Sequence, residues 1–508
     1  MKLIRARVIG RSSLSLLLAS LILLWPAFVN GQPFFMSDTT TYVRSADAAA
    51  YKILGKTTDW SDQLRDRFHV QSTGPSPTTQ DSAPVSIETN SEPEVVLLGR
   101  SIYYGAILYL ADVTLSLWAV IAMQAFLVAL SVRLSIRRFW PAREALSLDV
   151  RTVGGVLILA IATPVAFFAS YLMPDVFTAL AILAAAHLAG FRESMRRAER
   201  YYWIAILVAG ALFHSATILL LLGLALAIAL LGKWKDARPR LTTAVIILAM
   251  AGVGMAAEFL FSTAVAATTG AKPIRPPFVS ARLVADGPGT SFLRTNCPEA
   301  GFLLCRYLDR VPEPSDTILW SAKPHEGVFS TAAPADKRRL AAEDVPFTWA
   351  VTRDRPLDVL ASSSRAVADQ ATKFTLSEFN YTRAEVISFE EKLPSRLVRV
   401  LSQSLAAHRQ MPVRLIEILS ALSAIMSIGL VAAAWLGGGR ADTRPRTFAA
   451  VIIAGFVFNV AICGALSTPH DRYSTRILWI VPIAAAAVGS SLLIRRNPSV
   501  LETSHVYK

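Results

Sequence analysis

The sequence predicts an all-α polytopic membrane protein of about ten transmembrane helices, which also carries an external, periplasmic loop domain. Apolar residues make up 53% of the chain and charged residues only 17%, against roughly 25% charged in ordinary soluble domains. The apolar residues fall into runs of about 18 or more, long enough to cross a bilayer. Because the basic residues cluster between these runs, the net charge of +14 indicates the positive-inside rule and not nucleic-acid binding.

Residues 1–266 are predicted to form an N-terminal membrane domain. The apolar run at 14–29 is either a retained first helix with a cytoplasmic N-terminus or a cleaved signal peptide, and both alternatives place the next residues outside. The first external loop, 30–100, holds an amphipathic helix at 42–54 that is compatible with the membrane surface. A Ser-, Thr- and Pro-rich stretch at 71–94 predicts a flexible segment.

Further spans follow from hydropathy, and basic clusters mark their cytoplasmic ends. The spans predicted in this part of the chain are 113–134, 154–171, 175–188, two short helices within 203–231, and 242–264. A single helix over 203–231 would be roughly 44 Å long, whereas a bilayer core is roughly 30 Å thick. We therefore expect two helices that meet at the outer face near His214.

Residues 267–411 form a long external region, and residues 412–494 return to the membrane with predicted spans at 415–436, 449–466 and 477–493. Residues 495–508 are a cytoplasmic tail, so both termini are expected in the cytoplasm. The chain has three cysteines, too few for a disulfide scaffold. Cys297 and Cys305 lie in the external region, where they are expected to form a disulfide, with two buried thiols as the alternative.

This topology brings several ionisable residues to the external face, each at the mouth of a helix. They are Asp38, Asp175, His214 and the run His470-Asp471-Arg472-Tyr473. Ionisable groups at such positions are often functional. The structural alternatives are a helix or turn cap for each aspartate and a polar kink for His214.

A carboxylate near a membrane surface can act as a general base toward a hydroxyl group. Arg44, Arg472 and Arg476 are candidate ligands for a substrate phosphate, since guanidinium groups bind its oxygens bidentately. The alternative for these arginines is an anchor for lipid headgroups. The candidate supporting residues are Tyr42, His214, His470, Asp471 and Tyr473.

Two short stretches resemble the GT-C superfamily of polyprenyl-phosphate-dependent glycosyltransferases, which includes the protein mannosyltransferase and aminoarabinose transferase families. They are Met36-Ser37-Asp38-Thr39-Thr40-Thr41-Tyr42 in the first external loop and Met173-Pro174-Asp175-Val176-Phe177 in the second. The resemblance implies an inverting sugar transfer, with Asp38 as catalytic base or metal-associated carboxylate and Asp175 as a supporting acid. Many members carry an acidic pair where this chain has Ser-Asp-Thr, so a divalent metal is left open.

The leading hypothesis is a glycosyltransferase of a bacterial inner membrane that takes a lipid-linked sugar donor and modifies an envelope glycan or lipid. One alternative is a lipid-linked-oligosaccharide flippase or a polysaccharide polymerase. Another is a membrane protein without enzymatic activity. Transporters tend to place ionisable groups at the bilayer midplane, whereas here they lie at helix ends, which favours an enzyme.

Overall fold

A computed structural model of the protein describes residues 2–56, 58–60, 95–140, 145–231, 241–436 and 443–496. In these ranges the regular structure is helical, and β-type pairing is limited to two isolated bridges. Six helices are long and apolar enough to cross a membrane: Leu117–Phe139, Asp175–Ser194, Leu241–Thr269, Val413–Leu436, Thr443–Leu466 and Asp471–Ser491. The protein is therefore a helical, multi-pass membrane protein.

The helices up to residue 269 contain the first three of these candidate spans. They are α1 (Lys2–Leu23), α2 (Trp25–Asn30), α3 (Ser37–Leu54), α4 (Ile102–Thr114), α5 (Leu117–Phe139), α6 (Ala145–Ala162), α7 (Val165–Ala169), α8 (Asp175–Phe191), α9 (Arg197–Phe213), α10 (Ser215–Leu231) and α11 (Leu241–Thr269).

The remaining helices comprise a set of short ones and then the last membrane helices. They are α12 (Phe278–Ala285), α13 (Pro288–Asn296), α14 (Ser315–Trp320), α15 (Pro334–Asp354), α16 (Pro356–Gln370), α17 (Arg383–Lys392), α18 (Ser395–Ser402), α19 (Val413–Leu436), α20 (Thr443–Leu466), α21 (Asp471–Leu478) and α22 (Ile480–Arg496).

The predicted helix break near His214 is confirmed. Helix α9 ends at Phe213 and α10 begins at Ser215, while His214 itself has extended dihedral angles of φ −145° and ψ 110°. The sequence-based helix at 42–54 is also present, as the C-terminal part of α3.

Three predicted boundaries were wrong for local reasons. The span expected at 154–171 lies earlier, in α6, because Pro164 cannot continue a helix and the chain restarts as the short α7. The span expected at 113–134 begins later, at Leu117 in α5, because α4 continues to Thr114 and the Ser116 hydroxyl then accepts a hydrogen bond from the first turn of α5. The last span was expected to begin at residue 477, but its helix begins at Asp471 and is interrupted at Trp479. Arg472 and Arg476 therefore lie in helix α21 and not in the turn before it.

Helix α8 lies at the centre of the bundle, and every residue from Asp175 to Leu188 is buried. Small residues allow its neighbours to approach closely. A Cβ atom on Gly455 of α20 would lie 2.5 Å from Ile182, and one on Gly210 of α9 would lie 2.9 Å from Ala181. The tight packing fixes the N-terminus of α8, where Asp175 lies.

The region between α11 and α19, which we call the 270–412 region, contributes side chains to two hydrophobic cores. Apolar side chains from Ala281 to Val351 form a small core of their own. Those from Leu376 to Met411 join the main core of the membrane helices. Cys297 and Cys305 form the expected disulfide, which packs against the smaller core, and their Cα atoms lie 5.6 Å apart.

The predicted flexible segment at 71–94 lies outside the described residues.

Candidate functional site

Asp38 is the second residue of α3 and is held by two arginines. Helix α3 follows an extended Met36, whose N–H donates to the Thr39 hydroxyl over 3.0 Å, so the residues around Asp38 close the helix end. The Arg100 guanidinium lies 2.5 Å from one Asp38 oxygen, and the Arg472 guanidinium lies 3.9 Å from the other. Asp38 therefore forms ion pairs instead of serving as the helix cap.

Asp175 is the first residue of α8 and is almost fully buried. Arg476 donates to it over 3.0 Å, and the same guanidinium donates to the Asn459 side chain, also over 3.0 Å. His214 Nε2 lies 3.3 Å from Arg476. Since a guanidinium only donates, Nε2 is the acceptor, and the helix break at His214 thus places a hydrogen-bond acceptor beside the arginine.

Arg472 and Arg476 lie one turn apart at the start of α21, with Tyr473 between them. Their guanidinium carbons are 5.1 Å and 5.2 Å from the centroid of the Tyr473 ring. Arg472 also contacts the sulfur of Met36. The tyrosine ring thus supports both arginines, and the pair connects Asp38 to Asp175 across the interface of α3, α8 and α21.

Two residues of this site were not predicted from the sequence. Arg100 precedes α4, and its position directly before an apolar helix was the available signal. Glu378 lies in a 3₁₀ turn at Ser377–Phe379 and accepts a hydrogen bond of 3.2 Å from the Tyr171 hydroxyl. Burial raises the pKa of Glu378, although the charge of Arg472 opposes this shift. No hydropathy or spacing pattern distinguishes Glu378 in the sequence.

These six charged residues form what we call the arginine–carboxylate cluster: Asp38, Asp175, Glu378, Arg100, Arg472 and Arg476. Ionised, the three acids balance the three arginines, and with Glu378 protonated the cluster carries a net positive charge. Among the described residues, five polar atoms of the cluster and of its neighbour His214 are buried without a hydrogen-bond partner, namely Asp175 Oδ2, His214 Nδ1, Arg100 Nε, Arg472 Nε and Arg476 Nε. Such atoms are costly to bury, which makes them candidate ligand contacts.

Tyr42 lies beside the cluster, whereas Arg44 points elsewhere. The Tyr42 ring is buried edge-on against Tyr104, with centroids 5.4 Å apart. Burial raises the pKa of the Tyr42 hydroxyl, and Arg100 opposes the shift. Arg44 donates over 2.6 Å to the carbonyl of Lys392 at the end of α17, a contact that ties α3 to the 270–412 region.

His470 and Asp471 also bind segments of the 270–412 region. His470 Nε2 lies 3.0 Å from the Asp316 carboxylate on α14, and Asp471 accepts a hydrogen bond of 2.9 Å from the Thr375 amide. The same helix α14 carries Trp320, whose ring lies 5.9 Å from the Arg100 guanidinium. These contacts hold α14 next to the cluster.

Among the described residues, no group of three or more His, Cys, Asp and Glu side chains is arranged to hold a metal ion. The chemistry available in the cluster is that of carboxylates, guanidinium groups and tyrosines. This set can accept a proton from a hydroxyl group and bind an anion.

Comparison of the chain with protein-family models, curated proteins and solved structures finds no significant match.

Proposed function

We propose that the protein is an integral membrane glycosyltransferase, which transfers a sugar from a polyprenyl-phosphate donor to an envelope glycan or lipid on the external face. The observation that carries this proposal is the pairing of two carboxylates with two adjacent arginines. Arg472 lies 3.9 Å from Asp38, and Arg476 lies 3.0 Å from Asp175. Base and phosphate ligand are thus neighbours, as a transfer from a phosphosugar requires.

In the proposed reaction, an acceptor hydroxyl oxygen attacks the anomeric carbon of the sugar and its proton passes to Asp38. The bond from the anomeric carbon to the phosphate oxygen breaks, and the phosphate leaves with the electron pair. Arg472 binds the developing negative charge, which is an interaction that strengthens in the transition state. Arg476, held by Asp175 and Asn459, positions Arg472 through the shared Tyr473 ring.

The topology belongs to the same proposal. About ten spans, with both termini in the cytoplasm, would place the arginine–carboxylate cluster at the periplasmic face of a bacterial inner membrane. The shorter apolar helices Ser12–Leu23, Ile102–Thr114 and Ser215–Leu231 supply further candidates beyond the six long ones. The 270–412 region would then be external, where a disulfide persists.

One observation favours a second function, that of a lipid-linked-oligosaccharide carrier. The helix pair α9 and α10 is interrupted at His214, and this broken point contacts Arg476 over 3.3 Å. Transporters build substrate sites from interrupted helices of this kind. A carrier would move the lipid-linked sugar across the membrane without forming a new glycosidic bond.

The test is a comparison of envelope glycans and lipid-linked sugars in cells that express the wild type, Asp38→Asn or Asp149→Asn. Asp149 is a matched control, because it pairs with Arg133 over 2.6 Å in a partly buried site near the C-terminal end of α5. A lost general base lowers the rate by roughly 100- to 10,000-fold, so Asp38→Asn should abolish the product and accumulate the donor.

Asp149→Asn should leave the product unchanged at matched expression. Full product formation by Asp38→Asn would rule out Asp38 as the base. Vesicles in which the lipid-linked sugar crosses the membrane without any new glycosidic bond would identify the carrier instead.

A further inference from the structure

The arginine–carboxylate cluster is closed at one end and open at the other. The Asp175 and Arg476 side chains are each 1% exposed, so this end is sealed by packing. At the other end, the side chains of Asp38 and Arg100 are 18% and 25% exposed. Trp320, which lies beside Arg100, is 42% exposed. A substrate therefore has access to the cluster past Trp320 and Arg100, on the side where Asp38 lies.

The Trp320 ring is held at this open end by the contacts of its short helix, α14. Asp316 of α14 pairs with His470 over 3.0 Å. The guanidinium carbon of Arg100 lies 5.9 Å from the Trp320 ring centroid, and the Phe278 ring lies 6.1 Å from it. These two side chains cover part of the indole and leave the remainder exposed. The protein thus fixes an aromatic surface at the entrance to the cluster.

The order of contacts tells which substrate passes Trp320. Arg100 lies 2.5 Å from one oxygen of Asp38, and Arg472 lies 3.9 Å from the other. The contacts therefore run in the order Trp320, Arg100, Asp38 and Arg472. In the proposed reaction Arg472 binds the leaving phosphate, and a displacement with inversion brings the attacking hydroxyl to the opposite face of the sugar. The acceptor therefore belongs on the Trp320 side of Asp38.

An exposed indole beside a guanidinium group suits a sugar ring. The C–H bonds on one face of a pyranose carry partial positive charge, whereas the face of an aromatic ring carries partial negative charge, so the two surfaces attract each other. The hydroxyl groups around the sugar can accept hydrogen bonds from Arg100, since a guanidinium group only donates. An acyl chain would pack on the indole but offers the arginine nothing. Trp320 and Arg100 together therefore match a saccharide.

We propose that Trp320 forms the acceptor subsite and that the acceptor is a sugar unit of an envelope glycan, which stacks on the indole and directs its attacking hydroxyl toward Asp38. The inference rests on the proposed function, because it takes Asp38 as the base and Arg472 as the phosphate ligand. A glycan is the better match than a membrane lipid, since Ile318 and Leu319 of the same helix pack in the small core of the 270–412 region and not among the membrane helices.

The experiment is saturation-transfer-difference NMR of the full-length protein in a zwitterionic detergent, which has no sugar headgroup to compete. The probes are the methyl glycosides of glucose, galactose, mannose and N-acetylglucosamine, and titration of each gives its Kd. The wild type should bind at least one of them, and Trp320→Ala should weaken that binding about tenfold. Trp320→Phe retains an aromatic face and should keep most of the affinity.

Trp349→Ala is the matched control. Trp349 lies on α15 in the same 270–412 region and is 68% exposed, so its removal tests the loss of an exposed indole away from α14. This variant should bind the saccharide as the wild type does. Isothermal titration with farnesyl phosphate, a short polyprenyl phosphate, probes the donor side in the same detergent. Trp320→Ala should bind it with unchanged affinity, because the phosphate lies at Arg472.

Unchanged saccharide binding by Trp320→Ala would overturn the subsite and leave the indole as an anchor at the membrane interface. Equal losses of saccharide and farnesyl phosphate would also overturn it, since the substitution would then disturb the whole cluster. If the wild type binds none of the four glycosides, the saccharide acceptor is wrong, although the glycosyltransferase could still act on a lipid. Saccharide binding that depends on Trp320, in a protein whose cellular products do not change with Asp38→Asn, would uphold the subsite and remove the glycosyltransferase.

Discussion

The Arg476 guanidinium donates a hydrogen bond of 3.0 Å to the Asp175 carboxylate, and each of the two side chains is only 1% exposed. The pair joins the first residue of α8 to the second turn of α21, which lies 301 residues away along the chain. Desolvation largely offsets the attraction in such a buried pair, so its net contribution is modest, but removal of one partner leaves an uncompensated charge.

Asp175→Asn should therefore lower the free energy of unfolding by about 3–5 kcal/mol, because Arg476 then stays buried without its counter-charge. Denaturation in detergent, followed by far-UV circular dichroism, measures the loss. Glu258→Gln is the control, since it breaks the exposed Glu258–Arg275 pair, which should cost less than about 1 kcal/mol. Equal losses in the two variants would contradict the importance of burial.

Gly105→Ala should disturb the packing of α3 on α4. A Cβ atom at Gly105 would lie 2.4 Å from the carbonyl oxygen of Tyr42, and this neighbour is backbone that cannot rotate away. We expect a loss of about 1–3 kcal/mol, as for other overpacked sites, together with reduced activity because α3 carries Asp38.

Gly154→Ala tests whether this effect is steric. Gly154 lies in helix α6, and a Cβ atom there would meet nothing within 4 Å. Alanine should be neutral or stabilising by up to about 1 kcal/mol, through its helix propensity. Similar melting temperatures for the Gly105 and Gly154 variants would exclude the close approach to Tyr42.

The Cys297–Cys305 disulfide determines how many thiols of the chain can react. Cys463 is the free cysteine in the structure, so the unfolded, unreduced protein should react with one maleimide and the reduced protein with three. Replacement of both bonded cysteines by serine should lower the free energy of unfolding by about 2–3 kcal/mol. Addition of a reductant to the wild type should reproduce that loss, and three reactive thiols without reductant would contradict the bond.

Acid pH should weaken the hydrogen bonds that hold α14 against the residues before α21. Burial alone would raise the pKa of the Asp316 carboxyl, but hydrogen bonds from His470 and Thr468 lower it below its ordinary 3.8. Because the pKa is lower in the folded state, this contribution to stability is complete above pH 3.8 and is lost as the pH falls through the lower folded value.

Hydrogen exchange of residues 314–320 as a function of pH measures this release. The wild type should show increased exchange only at acid pH, whereas Asp316→Asn should show it already at neutral pH and respond less to acid. An unchanged acid response in the variant would mean that another group controls the contact.

The membrane class, the helix break at His214 and the positions of Asp38 and Asp175 at the starts of helices could all be predicted from the sequence. Each depends on local information, because hydropathy decides which segments enter a bilayer and proline or a short polar pair decides where helices stop. Boundaries such as that of α6 were missed, since Pro164 interrupts an apolar run without changing its hydropathy.

The side-chain contacts of the predicted site residues could not be predicted from the sequence. Arg44 is an arginine on α3, the helix that also carries Asp38, which made it a candidate phosphate ligand. In the structure it binds the Lys392 carbonyl, and Arg100 is the residue that pairs with Asp38. The choice depends on which side of α3 faces α4 and which faces α17, and that is a property of packing.

The sequence by itself thus determined that the chain crosses the membrane repeatedly and which polar residues lie at helix ends, because transfer of a segment into lipid depends on its own composition. Only the tertiary structure decided that Asp38, Asp175, Arg472 and Arg476 are neighbours and that Glu378 joins them. Electrostatic pairing depends on distances of a few ångströms between segments far apart in the chain, and those distances are set by how the helices pack around α8.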